Sequence, residues 1–323
     1  MTNIRKPEVF SAMKRSIPAL GRAALYILLY VAVQLLVSTV FVVLGAISYF
    51  ISGVTSTDIL TYILQYSAET VAINLLLSSV IALAAFALVV RVRRNRIRAR
   101  FSLVAPAERS SLVAAVPLGL AANLLVSFVI GLLPTPLVES YGDASAVLTA
   151  TEPNMIYFLA TVLFAPFLEE ILFRGLVQST LKRSMKLEFA VLLQAVFFGL
   201  IHTGLVWIIY AFILGLALGI LRENQRSLWP CVLLHCGFNL TNFLLMLLPY
   251  DFFGARPLLY VLVLMVSTVL CILLGYGLFI HTPAIPAAAP AATPIMPETA
   301  DFPTPEASTE ADEPQTDDQN GGN

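Results

Sequence analysis

Glu169-Glu170-Ile171-Leu172-Phe173-Arg174 lies inside a hydrophobic run. Translocon scales put about 2.5–3.5 kcal/mol against each charged residue at a membrane helix centre. A segment that keeps three such residues must bury them in protein, pair them or use them. On a helix Glu170 and Arg174 are i,i+4 and share a face, which reads as a structural ion pair. Glu169 then points about 100° away, with no partner in its own helix. An unpaired buried carboxylate is a candidate for proton chemistry.

The rest of the chain sets the medium. Of 323 residues, 58% are hydrophobic and 12% charged, with a mean hydropathy of +0.85. A soluble domain carries about 25% charged residues, so the composition predicts an all-α, polytopic membrane helical bundle. A span needs about 20 mostly apolar residues. Eight candidates follow: 20–50, 68–90, 111–133, 154–176, 187–203, 205–221, 228–248 and 257–281. The first is long enough to tilt or break, and the fifth and sixth form a hairpin through His202-Thr203-Gly204.

Charge orients the bundle. Arg5, Lys6, Lys14 and Arg15, six arginines between Arg91 and Arg100, Lys182, Arg183 and Lys186, and Arg222 and Arg226 fall in alternate loops. The other loops carry Asp58, Glu139, Asp143 and Asp251, with only Arg256 against them. By the positive-inside rule both termini are cytoplasmic, as expected of a multi-pass cell-membrane protein. The arginine run reads as a topology and anionic-lipid determinant and not as a nucleic-acid site. Residues 1–19 form a basic cytoplasmic segment and 20–281 the membrane domain, with a motif-bearing core at about 154–248. Residues 282–323 form a Pro/Ala-rich, acidic tail with too little apolar content to order itself. No internal repeat suggests an inverted-repeat transporter. Cys231, Cys236 and Cys271 all lie in apolar runs and read as packing residues.

Two further segments place polar side chains in apolar helices. Phe198-Gly199-Leu200-Ile201-His202 puts Phe198 one turn before an imidazole. His235-Cys236-Gly237-Phe238-Asn239 puts an imidazole and an amide on one face. The glycines allow close helix approach. If these faces converge with Glu169, they supply a general base and ligands for a water or metal, with two hydrogen-bond donors beside them. Amide hydrolysis needs a carboxylate to take a proton from water and donors for the tetrahedral oxyanion. No Gly-x-Ser-x-Gly or Gly-x-Gly-Asp arrangement offers a covalent route. Asn74, Asn123 and Gln194 read as interhelical hydrogen bonds, with Asn123 or Gln194 also placed to line a groove. Trp207 and Trp229 read as interfacial anchors.

Glu-Glu-x-x-x-Arg, Phe-x-x-x-His and His-x-x-x-Asn on successive hydrophobic helices resemble the CPBP intramembrane proteases. That family includes the type II CAAX prenyl endopeptidases and bacterial proteins linked to bacteriocin self-immunity. The resemblance covers about Phe158 to Phe243. It implies that Glu169 activates water together with His202, that His235 and Asn239 form the oxyanion site, and that Glu170 and Arg174 orient the motif helix. A zinc ion (Zn2+) held by Glu169, His202 and His235 is also compatible with these residue types; the metal-free glutamate mechanism is preferred. Counting along the spans puts Glu169 and His235 about 10 Å from the cytoplasmic surface and leaves His202 deeper. The expectation is therefore an endopeptidase that cuts a membrane-associated or lipidated peptide near the cytoplasmic side, with membrane lipids around it. Two other functions use the same residues: a non-enzymatic immunity or scaffold protein, and a proton-coupled transporter.

Overall fold

The computed structural model describes residues 6–55, 57–92, 107–149, 152–249 and 252–281. The proposed tail and most of the arginine run lie outside the described residues. Among these residues there is no strand. Nine helices follow in order: α1 Lys6–Ser52, α2 Ile59–Val92, α3 Arg109–Gly131, α4 Thr135–Thr149, α5 Met155–Leu181, α6 Leu187–Leu200, α7 Leu205–Gln225, α8 Trp229–Met246 and α9 Pro257–Tyr276. Large apolar side chains face outward, such as Phe50 (73% exposed) and Leu258 (83%). Water would oppose such a surface and lipid accepts it.

Seven of the nine are long and apolar enough to cross a membrane: α1, α2, α3, α5, α7, α8 and α9. Of the eight spans expected from the sequence, the one at 187–203 is short, although it carries the chain from the end of α5 back to the start of α7. There α6 has 14 residues, about 21 Å. It stops because Gly204, with φ +78°, turns the chain into α7. A second difference is α4, a 15-residue helix in what the sequence reads as a loop. The first helix does not break: α1 runs through the proposed basic segment from Lys6 and ends at Ser52, before Gly53 at φ +65°.

Side-chain bonds between helices establish which ends lie together. Asn74 Nδ2 donates to Ser38 Oγ at 3.2 Å, and Ser48 Oγ meets the Tyr62 hydroxyl at 3.0 Å, so α1 and α2 are antiparallel. Ser16 Oγ donates to the Ser184 carbonyl at 2.9 Å, which sets the start of α1 beside the end of α5. Arg174, Gln178 and Lys182 reach Gly215, Gly219 and Glu223 in turn, so α5 and α7 run parallel. Asn224 and Gln225 donate to the carbonyls of Phe279 and Leu278, bringing the end of α9 to the end of α7. All the described loop cations but one thus collect at one end, with Arg91, Lys182, Arg183, Lys186, Arg222 and Arg226. At the other end lie Asp58, Glu139, Asp143 and Glu152 with the remaining cation, Arg256.

Glycines allow the closest crossings. A Cβ on Gly119 would overlap the Leu234 carbonyl, and one on Gly237 the Val116 carbonyl, so α3 and α8 pack backbone to backbone. A Cβ on Gly199 would lie 2.9 Å from the Ile208 carbonyl, and one on Gly215 3.1 Å from Ala195 Cα, closing the α6–α7 hairpin.

Candidate functional site

The motif helix α5 is not a plain α-helix. Leu159–Phe164 and Ile171–Gln178 are wound as π-helix. Such segments re-aim side chains and free backbone carbonyls for outside partners. In the first, the Thr161 carbonyl accepts from Asn239 Nδ2 at 2.9 Å. In the second, the Arg174 carbonyl accepts from Ser179 Oγ at 3.2 Å.

Between these segments lie the two carboxylates. Glu170 and Arg174 are fully buried and joined at 2.8 Å between Oε1 and Nη1. Arg174 Nη2 also donates to the Gly215 carbonyl at 3.3 Å, and its guanidinium lies 4.6 Å from the Phe198 ring centroid. The pair includes a third member: His235 Nδ1 lies 2.9 Å from the same Glu170 Oε1. A carboxylate only accepts, so Nδ1 carries the hydrogen. His235 Nε2 then faces the Glu169 carboxylate, 3.8 Å from its Oε2.

His202 is held in a complementary way. Its Nδ1 lies 2.8 Å from the Phe198 carbonyl, which can only accept. Nδ1 is therefore the protonated nitrogen, and Nε2 keeps its lone pair. The Phe198 ring stands edge-on to both imidazoles, with centroids at 5.2 Å to His202 and 5.8 Å to His235.

Glu169, His202, His235 and Asn239 all line one cavity of about 730 Å³. Its walls add Tyr30 and Gln34 from α1 and Tyr157, Thr161, Trp207 and Tyr210 from α5 and α7. Trp207 also packs into the site: its ring sits 5.3 Å from that of His202 and forms part of the wall. Trp229 stacks on Phe167 with centroids at 6.1 Å. Gln194 does not line the cavity; its Nε2 donates to the Gly215 carbonyl at 2.7 Å across the hairpin. Asn123 is bonded within its own helix, to Ser127 at 3.2 Å, and is not in the lining either. Tyr30, Gln34 and α4 carry no chemical motif, and the sequence offers no sign that they belong here.

Heights along the helices can be compared from their basic ends. The motif helix continues past residue 176 to Leu181, so Glu169 lies twelve residues, about 18 Å, from its basic end. His202 follows a helix of about 21 Å from the same end. The two are nearly level on their own helices, while His235, whose Nε2 is 3.8 Å from Glu169 Oε2, is six residues, about 9 Å, into α8.

The zinc alternative has a geometric test. Among the described residues no three His, Cys, Asp or Glu side chains are gathered as a metal site requires. Glu169, His202 and His235 line one cavity without closing into a ligand set, and no step is derived through a metal.

Residues 151–241 match the family model described as type II CAAX prenyl endopeptidase Rce1-like. That segment is thus similar to the CPBP, or CAAX, proteases. It runs from the start of α5 to Thr241 on α8 and so contains all six motif residues. The comparison with curated proteins and the comparison with solved structures each found no match. The chain is thus a multi-pass membrane protein with a CAAX-protease-like segment, and α1 to α4 and α9 are built around it.

Proposed function

We propose that this chain is an intramembrane endopeptidase of the cell membrane, in which Glu169 and His202 activate a water and His235 and Asn239 hold the oxyanion. The observation that carries the reading is that all four side chains line a single cavity next to a buried ion pair. Water in that cavity loses a proton to the Glu169 carboxylate or to the free lone pair of His202 Nε2, and its oxygen adds to the scissile carbonyl. The second Nδ2 hydrogen of Asn239 stabilises the negative oxygen, and His235 completes that oxyanion site. The proton taken from water then passes to the leaving amine as the C–N bond breaks. Glu170 and Arg174 contact no substrate; they hold the helix and the His235 ring.

The apolar walls suit an uncharged, extended peptide segment drawn from a membrane-anchored or lipidated protein. The test is purified full-length protein in detergent with a quenched-fluorescent peptide library. Cleavage that disappears in Glu169→Gln supports the reading. Turnover unchanged in that variant, or no turnover in the parent while the fold is intact, overturns it.

A further inference from the structure

The side from which the cavity opens bears on which substrates can reach it. Its floor lies at Glu169, His235 and Leu214. From there the lining rises along α5 through Ala165 and Thr161 to Tyr157, two residues from the helix start, and along α8 to Phe243. Leu148 of α4 and Thr203 of the α6–α7 turn complete the upper wall. Every one of these lies toward the acidic end.

No lining residue of α5, α7 or α8 lies on the basic side of that floor. The space there is filled by Glu170, Arg174, Gln178 and Gln194, each fully buried. Gln178 Nε2 donates to both the Gly219 carbonyl (3.0 Å) and Glu223 Oε1 (2.9 Å), and Lys182 Nζ closes the ladder on Glu223 at 2.9 Å. This plug is about three helical turns thick, or some 16 Å. A peptide has no route through it.

Resting on the endopeptidase reading, we infer that the site is served from the extracytoplasmic face, so that its substrates are peptide bonds near the outer-leaflet end of membrane-anchored chains. The basic end is cytoplasmic by the positive-inside rule, with the described cations there and six arginines between Arg91 and Arg100 next to it in sequence. The lining therefore extends from its floor toward the opposite side. A prenylated cysteine at a cytoplasmic C-terminus cannot reach Glu169 in this arrangement. This differs from the sequence expectation of cleavage near the cytoplasmic side.

The experiment uses the full chain in right-side-out and inverted membrane vesicles. The probe is a cleavable quenched-fluorescent peptide from the library, extended by a lysine-rich end that prevents it from crossing. Cleavage at least tenfold faster in right-side-out vesicles is expected, with the difference abolished by detergent. Faster cleavage in inverted vesicles overturns the inference, and so does equal cleavage in both preparations. If detergent-solubilised protein cleaves nothing, the endopeptidase reading fails, and a second arm still decides the sidedness. Leu148→Cys and Thr203→Cys, each in a chain with Cys231, Cys236 and Cys271 replaced by alanine, should react with an impermeant maleimide in right-side-out vesicles. Arg183→Cys should react in inverted ones. The reverse pattern overturns the assignment whatever the activity.

Discussion

Glu170 Oε1 holds Arg174 and His235 at the same time, at 2.8 Å and 2.9 Å. One carboxylate oxygen therefore ties the motif helix to α8 and sets the tautomer of a cavity-facing imidazole. The consequence is that Glu170, which touches nothing in the cavity, controls what His235 presents there. Glu170→Gln keeps the shape and removes the charge. It should lower kcat by more than tenfold and destabilise the protein by about 3–5 kcal/mol, since Arg174 is left buried without its partner. Thermal unfolding in detergent together with the turnover of the residual folded fraction checks both parts. A variant of normal stability and activity would show that the ion pair has no such role.

Asn239 spends one amide hydrogen on the Thr161 carbonyl and keeps the other for the cavity. Asn239→Ala should therefore cost in two places. Loss of an oxyanion donor is worth about 10²–10³ in kcat, and the unpaired Thr161 carbonyl about 1–3 kcal/mol of stability. Asn239→Asp keeps neither hydrogen and adds a charge near Glu169, so it should be no better than alanine. If kcat is unchanged in both while stability falls, Asn239 is a structural tie alone.

Much of this was legible from spacing. Charged residues in an apolar run have few options, so the Glu170–Arg174 partnership could be read from i,i+4 geometry alone. The contact of His235 with Glu170 spans 65 positions, and no local pattern encodes it. The π-wound turns were equally invisible, because they depend on what the freed carbonyls meet across the bundle. Hydropathy counts apolar residues but does not show where a helix stops, as α6 does before Gly204. Trp207 illustrates the same limit: a tryptophan at a span end suits an interface, and nothing local shows that it also walls the cavity. The amphipathic α4 has too few apolar residues to register as a span, although it forms part of the cavity wall.

The packing behind that wall can be tested where α4 meets the α6–α7 turn. Gly204 combines φ +78° with close approach to α4, and a Cβ there would lie 2.7 Å from Ala144 Cβ. Gly204→Ala should destabilise by about 1–3 kcal/mol, from backbone strain together with the collision. Adding Ala144→Gly removes the collision and leaves the strain, so the double variant should recover part of the loss. A full recovery would mean that the backbone tolerates alanine, and no recovery that α4 does not press on this turn. Urea unfolding monitored by tryptophan fluorescence reads the difference.

The polar ladder predicts a gradient in the cost of removing a charge. At its outer rung Lys182 and Glu223 are 34% and 21% exposed and 2.9 Å apart. Water and salt weaken such a pair, so Lys182→Ala should cost less than about 1 kcal/mol. At its inner rung Arg174 is fully buried, and Arg174→Ala should cost about 3–5 kcal/mol because Glu170 loses its counter-charge. Glu169→Gln should differ from both, stopping turnover while shifting the unfolding midpoint by little, because Glu169 faces the cavity and its contact with α8 is only the 3.8 Å approach to His235 Nε2. Three melting curves and three rates on the same preparation distinguish the rungs. Equal loss of stability in Glu169→Gln and Arg174→Ala would contradict the division of the motif into one chemical and one structural carboxylate.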